Sequence, residues 1–479
     1  MTNSPRVTSG PVFLLPIRIG RTAIARHSKA WLVLGLLTAS ATTVRAVPSF
    51  ARQLNVQCIT CHSEFPVLND MGRLFKLSGY TMSSEQSLLP VLAAMIEPSF
   101  TQTRAAQEGG AAPGFGNNNN YATTQASIFY AGRLFGPYAS HLFGDSTAAF
   151  LNKIGIFSQM TYDGVGKAWS WDNVDLRYAD TGMMAGHSTL WGIYLNNNPT
   201  LQDPWNSVPA WGFPFAGSGL APTPGAAPLI DGGLAQQVAG LGVYAMIDSR
   251  LYVDLCAYKT LPNHMQRSLG VDPSGETQVA RPAPYGRVAY TRPAAGGSWE
   301  TGVFGLAAIT YPGRDGSAGT DRIVDFGVDS EFQKAIGQDD LTVLVTYINE
   351  RANWSASQAL GNTENAVGSL NEFKGSVHYL TDKTYGFAAQ YFTVNGSRDA
   401  LAYANSPENS PNSDGFVLEI DYLPLNKTQG PAFWPRSNVK FSVQYTAYNR
   451  FDGSKTNVDG TGRSAKDNNT LYLQAWIVF

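Results

Sequence analysis

Cys58, Cys61 and His62 stand in the order C-x-x-C-H, and nowhere else in the 479-residue chain do two thiols and an imidazole come so close in sequence. Two thiols three residues apart can each add to one vinyl group of a single haem, while the adjacent histidine comes beneath the iron as an axial ligand. A disulfide or a thioredoxin-like redox pair also uses Cys-x-x-Cys, but the histidine that follows directly favours covalent haem c. Cys256 lies far away in an alternating segment and reads as a small inert side chain. For the second axial position the sequence offers Met71, Met82 and Met95 after the motif, and His378 on a predicted strand. Methionine would raise the potential relative to a second histidine. Met71 also fits the apolar side of a predicted helix, and His378 also reads as an ordinary residue beside Glu372, Lys374 and Ser376. Met71 and His378 therefore stay as candidates with a packing alternative. His141, His187 and His264 have no supporting pattern.

The elements around the motif are few. A helix is expected from Pro66 to Ser78, carrying Leu68, Met71, Leu74, Phe75 and Leu77. The haem segment spans 47–94, of which roughly 44 residues precede the first strand pattern. That is too little chain to bury a core of its own, so it must pack against the remainder.

The remainder alternates. Val324, Phe326, Val328 and Phe332 take one face of a segment whose other face carries Gly327, Asp329, Glu331 and Gln333. Phe416, Leu418, Ile420 and Tyr422 alternate with Glu419 and Asp421, and Val439, Phe441, Val443 and Tyr445 with Lys440, Ser442 and Gln444. Period-two patterning with one polar and one apolar face means strands between two different surroundings. About sixteen such strands are expected between 95 and 479. Their connections tend to alternate between short turns, such as Asp248-Ser249 and Thr381-Asp382-Lys383, and long stretches such as Asn198–Gly233 and Asn395–Asp414. The connection at Gly136–Asn152 is long where a short turn is due. The final segment puts Leu471, Leu473, Ala475, Ile477 and Phe479 on one face, the terminal pattern that outer-membrane assembly reads. An even-stranded barrel with short turns on one rim and long loops on the other is an outer-membrane barrel. The fold expected is thus all-β: an antiparallel outer-membrane β-barrel with a short helical N-terminal c-type cytochrome segment.

Composition agrees. The chain is 43% hydrophobic and only 15% charged, and beyond residue 46 it has no apolar run of helical-span length, which excludes a helical membrane protein. Residues 1–46 read as a signal peptide: Arg18, Arg21, Arg26 and Lys29, the apolar stretch Ala30–Thr42, then Val44-Arg45-Ala46 as cleavage site. Cleavage there removes six basic and no acidic residues and takes the net charge from −2 to −8, which leaves no basic face for nucleic acid. Lumenal carboxylates, including Asp325, Asp329, Glu331, Glu419 and Asp421, read as a solvated acidic wall that would attract hard cations. Some of Trp169, Trp171, Trp191, Trp205, Trp211, Trp299 and Trp476 are expected in girdles at the bilayer interfaces.

Several runs resemble the fused outer-membrane cytochrome–porins, the iron-oxidation cytochromes of bacteria that respire ferrous iron. They are Val47-Pro48-Ser49-Phe50-Ala51-Arg52-Gln53, Cys58-x-x-Cys61-His62, Phe65-Pro66-x-Leu68 and Gly72-Arg73-x-Phe75-Lys76-Leu77-x-Gly79-Tyr80. Leu195-Asn196-Asn197-Asn198-Pro199-Thr200, Trp205-Asn206, Pro209-Ala210-Trp211-Gly212-Phe213-Pro214 and Ile230-Asp231-Gly232-Gly233 continue it along the chain. The resemblance implies one covalent haem c on the N-terminal segment and a porin-like barrel in the same polypeptide. It also implies electron uptake from an extracellular reduced donor, chiefly Fe(II), and delivery to a periplasmic cytochrome or cupredoxin, as an Fe(II)-oxidising oxidoreductase. Two other classes stay open: a diffusion porin whose haem is a plug or sensor, and a haem enzyme acting on a small molecule. On size, the haem segment is expected to enter the lumen from the periplasmic side.

Overall fold

The computed structural model describes residues 49–82, 92–208, 212–273, 277–428, 430–431 and 436–479. All of these belong to one compact unit, Arg45–Phe479. The expected signal peptide and Trp211 lie outside the described residues.

Sixteen long strands form a single closed antiparallel sheet. They are β1 (Leu92–Thr103), β2 (Asn120–Arg133), β3 (Ile154–Asp163), β4 (Ala168–Met184), β5 (His187–Asn196), β6 (Val238–Ile247), β7 (Leu251–Thr260) and β8 (Ala283–Ala294). β9 (Gly297–Tyr311), β10 (Asp321–Ile336), β11 (Asp339–Asn353), β12 (Val367–Thr381), β13 (Tyr385–Gly396), β14 (Ser413–Tyr422), β15 (Asn438–Arg450) and β16 (Thr470–Val478) complete it. Each strand pairs with its neighbours in sequence, and β1 closes the ring on β16 from Met95↔Val478 to Thr103↔Thr470. A two-residue piece, Gln278–Val279, adds a little pairing at the end of β9. The barrel begins at Leu92, three residues before the expected boundary at 95.

The alternating pattern turns into an inside-out distribution of polarity. On β10, Asp325, Asp329, Glu331 and Gln333 are buried in the lumen while Phe326 and Val328 are exposed outside. On β14 and β15, Glu419, Asp421, Lys440, Ser442 and Gln444 point in, whereas Phe416, Leu418, Ile420, Phe441 and Val443 point out. A closed sheet with no free edge, polar within and apolar without, satisfies every backbone group in lipid and presents hydrocarbon to it. The chain is an outer-membrane β-barrel.

One rim carries tight turns. Asp248 and Ser249 both take positive φ (50° and 55°), as do Asp382 and Lys383 (49° and 51°), the left-handed backbone of tight hairpin turns between right-twisted strands. The other rim carries the long connections, including 197–237 and 397–412. In outer-membrane barrels the short-turn rim faces the periplasm. The irregular connection after β2 is built from two short helices, Ala139–Phe143 and Asp145–Leu151.

The lumen is not an open channel. The N-terminal segment 49–82 lies in it and touches walls on opposite sides: Gln53 reaches Ala131 on β2, Tyr80 reaches Asp175 on β4, Arg73 reaches Glu331 on β10, and Ser63 reaches Thr342 on β11. From the other rim the long β5–β6 connection folds inward. Ser207 accepts from Thr346, Ile230 N–H donates to Asp325, Leu229 N–H to Glu350, and Tyr448 donates to Pro222. The polar lumen drives this, because inward-pointing carboxylates supply acceptors for backbone N–H groups that would otherwise be buried unpaired.

Candidate functional site

The C-x-x-C-H segment is shaped by short-range hydrogen bonds. Helix α1 (Ser49–Leu54) leads to a single 3-10 turn, Cys58–Thr60, in which Cys61 N–H and His62 N–H both donate to Cys58 O at 3.1 and 3.0 Å. Helix α2 runs from Asp70 to Leu77, four residues later than expected at its start. The physical reason is Asn69: its side chain accepts from Met71 N–H and Gly72 N–H and so sets the N-terminus there. The Pro66 carbonyl is used elsewhere, pairing with His62 Nδ1. Asn69 N–H returns to Cys61 O at 3.0 Å, so the motif and α2 pack back to back. Gly72 permits that approach, for a Cβ there would sit 2.2 Å from Cys61 O.

His62 Nδ1 is 3.0 Å from Pro66 O. A carbonyl can only accept, so the proton is on Nδ1 and the Nε2 lone pair is left free, the arrangement by which proteins orient a metal-ligating imidazole. Burial lowers the His62 pKa to about 4, which keeps the ring neutral. Burial also pushes the Cys58 and Cys61 thiols up to about 11, and neither is in a disulfide.

All three side chains border one cavity of about 210 Å³ between the N-terminal segment and the barrel wall. Phe50, Phe65, Phe75, Phe129, Phe157 and Trp476 line it, with Met95 and Leu201. An apolar cradle with two thiols and one neutral, oriented imidazole at its edge is the donor set that haem c needs, and the residues fit the group.

The other candidates lie elsewhere. Met71 borders a second, more polar cavity of about 880 Å³ at the short-turn rim, shared with His62, Asp70 and Arg73. His378 is buried on β12, with Nε2 3.2 Å from Ser376 Oγ and its ring 4.6 Å from that of Phe213. Neither side chain borders the apolar cavity, whereas Met95 does. Cys256 is on β7, buried, and apart from the motif. Among the described residues no group of three or more His, Cys, Asp or Glu is placed to hold a metal ion.

The lumenal carboxylates are not a solvated wall. Glu331 accepts from Arg73 at 2.6 Å, Asp329 from Arg287 at 2.7 Å, and Glu419 from Lys440 at 3.0 Å, while Asp325 caps Ile230 N–H. They hold the two inserts and their neighbours in place. Their sequence signal, acids on the polar face of a strand, was visible, but their partners were not. Of the tryptophans, Trp169, Trp171 and Trp299 are partly exposed on the barrel, and Trp205 and Trp476 are buried inside.

These features define a porin-like outer-membrane barrel with a filled lumen. No protein-family profile matches the chain, and no curated protein matches it in sequence. Solved structures similar to it are outer-membrane barrels. The anion-selective porin from Comamonas acidovorans aligns at 11% identity over 81% of this chain and 98% of its own, with TM-score 0.43. OmpF of Salmonella typhi in complex with daunomycin aligns at 12% identity over 81% and 97%, with TM-score 0.41. A loop L8 deletion mutant of OmpT of Vibrio cholerae aligns at 10% over 81% and 98%, with TM-score 0.40.

Proposed function

We propose that this barrel is a monohaem electron carrier of the outer membrane, a fused cytochrome–porin that accepts electrons from an extracellular reduced donor, Fe(II) foremost, for a periplasmic cytochrome or cupredoxin. The observation that carries the reading is the apolar cavity bordered by Cys58, Cys61 and His62, with His62 Nδ1–H bound to Pro66 O. Cys58 and Cys61 would hold the haem through thioether bonds, and His62 Nε2 would take the iron. When bound, the group supplies one-electron redox chemistry that side chains lack. The chain supplies the rest. Phe65, Phe129 and Trp476 exclude water from the cavity, the Pro66 carbonyl fixes the imidazole, and Arg73 clasps the segment to Glu331 on the wall. The resemblance of the N-terminal runs to iron-oxidation cytochromes supports Fe(II) as the donor.

A diffusion channel is the second reading, favoured by the sixteen-strand fold and the rim cavity of about 880 Å³. The two inserts count against free diffusion. Detergent-solubilised protein separates the readings. The carrier predicts covalent haem on a denaturing gel, reduction of its spectrum by Fe(II), no spectral change with peroxide, and little conductance in planar bilayers. Large steady conductance with a haem that Fe(II) leaves oxidised would establish the channel instead, and a peroxide-dependent spectral change would point to an enzyme.

A further inference from the structure

We infer that the Met95 thioether is the second axial ligand of the haem, donated by the barrel wall, and that Trp476 positions it. The inference rests on the haem reading above.

Met95 is the fourth residue of β1, points inward and is buried. It borders the same cavity as Cys58, Cys61 and His62. The closing strand β16 runs beside it, with Met95 opposite Val478, and this register brings Trp476 within reach. Trp476 Nε1–H donates to Met95 Sδ at 3.0 Å. Trp476 in turn meets the Phe65 ring edge-on at 5.0 Å, and Phe65 meets His62 at 5.4 Å. A continuous chain of contacts thus runs around the cavity from the imidazole to the thioether.

Three side chains on the cavity besides His62 and the two thiols carry an atom that haem iron accepts: Met95, Lys76 and Tyr80. Tyr80 donates its hydroxyl to Asp175 at 2.6 Å. Lys76 Nζ donates to Asp203 O at 2.6 Å and to Asn206 Oδ1 at 3.3 Å. Both are committed to polar partners that they would have to abandon. Met95 sulfur accepts one hydrogen bond and keeps a second lone pair. It is soft and uncharged and carries no proton that ligation would have to displace, which suits iron in an apolar cavity. The bland alternative is sulfur–aromatic packing, which by itself has no spectroscopic consequence.

The wall origin of this ligand has a mechanical corollary. Iron bonded to His62 on the inserted segment and to Met95 on β1 joins the segment to the barrel by coordination. Haem ligation and docking of residues 49–82 become one linked equilibrium.

The test uses the full-length haem-loaded protein. Oxidised wild type is expected to be low-spin with the weak long-wavelength charge-transfer band of a methionine ligand. Met95→Leu should lose that band, turn high-spin and, when reduced, bind carbon monoxide. Met95→His should stay low-spin without the band and with a lower midpoint potential. Met71→Leu and Met82→Leu should keep the wild-type spectrum. Trp476→Phe should keep the band but lower the midpoint, because the sulfur then donates more fully to the oxidised iron. Band and midpoint unchanged in Met95→Leu would overturn the inference. Should the leucine variant not fold, a wild-type midpoint in Met95→His does the same. Haem staining of the same samples keeps the two readings apart: staining absent from wild type defeats the haem itself, whereas staining present with spectra indifferent to Met95 defeats only this ligand.

Discussion

Replacing Arg73 by alanine should release the N-terminal segment from the lumen. Its guanidinium is 7% exposed and donates to Glu331 Oε1 at 2.6 Å, where the carboxylate is 4% exposed. It also donates to Gln333 Oε1 at 3.0 Å and Leu68 O at 3.1 Å. Truncation leaves a buried carboxylate without its counter-charge, and one-sided removal of a buried ion pair costs about 3–5 kcal/mol. At about 1.4 kcal/mol per decade, the ratio of docked to released segment should fall by about two to three and a half decades. Glu331 belongs to the wall and stays in place, so the cost falls on docking rather than on the sixteen strands. The assay is limited proteolysis of residues 49–82 in reconstituted vesicles with the short-turn rim outward, where cleavage tracks the open population. Adding Glu331→Gln to Arg73→Ala should recover much of the protection, because no unpaired charge then remains. Asp70→Asn should do little, since Asp70 is 76% exposed and its contact with Arg73 is a surface pair worth about 1 kcal/mol or less. Cleavage rates of Arg73→Ala within about threefold of wild type, or a double variant as labile as the single one, would refute the clasp.

Three further outcomes are expected. Cys58→Ala or Cys61→Ala abolishes normal covalent haem on a denaturing gel and Cys256→Ser does not, because only the first pair has the C-x-x-C-H spacing and borders the cavity. Gly72→Ala lowers haem incorporation and melting temperature, since its methyl would meet Cys61 O at 2.2 Å and Leu68 Cδ2 at 2.9 Å, overpacking that costs about 1–3 kcal/mol; calorimetry and haem-to-protein ratio check this. Ser63→Cys with Thr342→Cys, in a Cys256→Ser background, should cross-link under mild oxidation, as the two hydroxyl oxygens are 3.5 Å apart, and a protease cut between the sites reveals the link.

Position along β1 sets a constraint on how the site is reached. Met95 is three residues from Leu92, about 10 Å along the strand at 3.3 Å per residue, whereas the eight residues on to Thr103 span about 26 Å. The cavity thus sits nearer the short-turn rim. The inward β5–β6 connection lends Leu201 and Asn206 to the cavity lining. Under the proposed function, a donor from the long-loop side would have to pass or work through that connection.

What the sequence determined by itself is local. The proposed haem attachment is read from Cys58, Cys61 and His62, because their spacing along the chain is the spacing that covalent attachment needs. The strands and their two faces are written in period-two alternation, because a pleated strand sends successive side chains to opposite sides whatever surrounds it. The start of α2 was less legible, since Asn69 had to compete with the apolar spacing that begins earlier. Only the tertiary structure decided what the inward faces meet. Glu331 and Asp325 looked like solvated lumen residues, and on their own strand they are. They become a clasp and a backbone cap only when a sixteen-strand ring brings Arg73 and Ile230 across from segments 258 and 95 residues away. The choice among Met71, His378 and Met95 is of the same kind. Ring closure of β1 on β16 sets Met95 and Trp476 on the wall of the cavity, which neither Met71 nor His378 borders. Strand pattern fixes which way a side chain points, and only the closed barrel fixes what it points at.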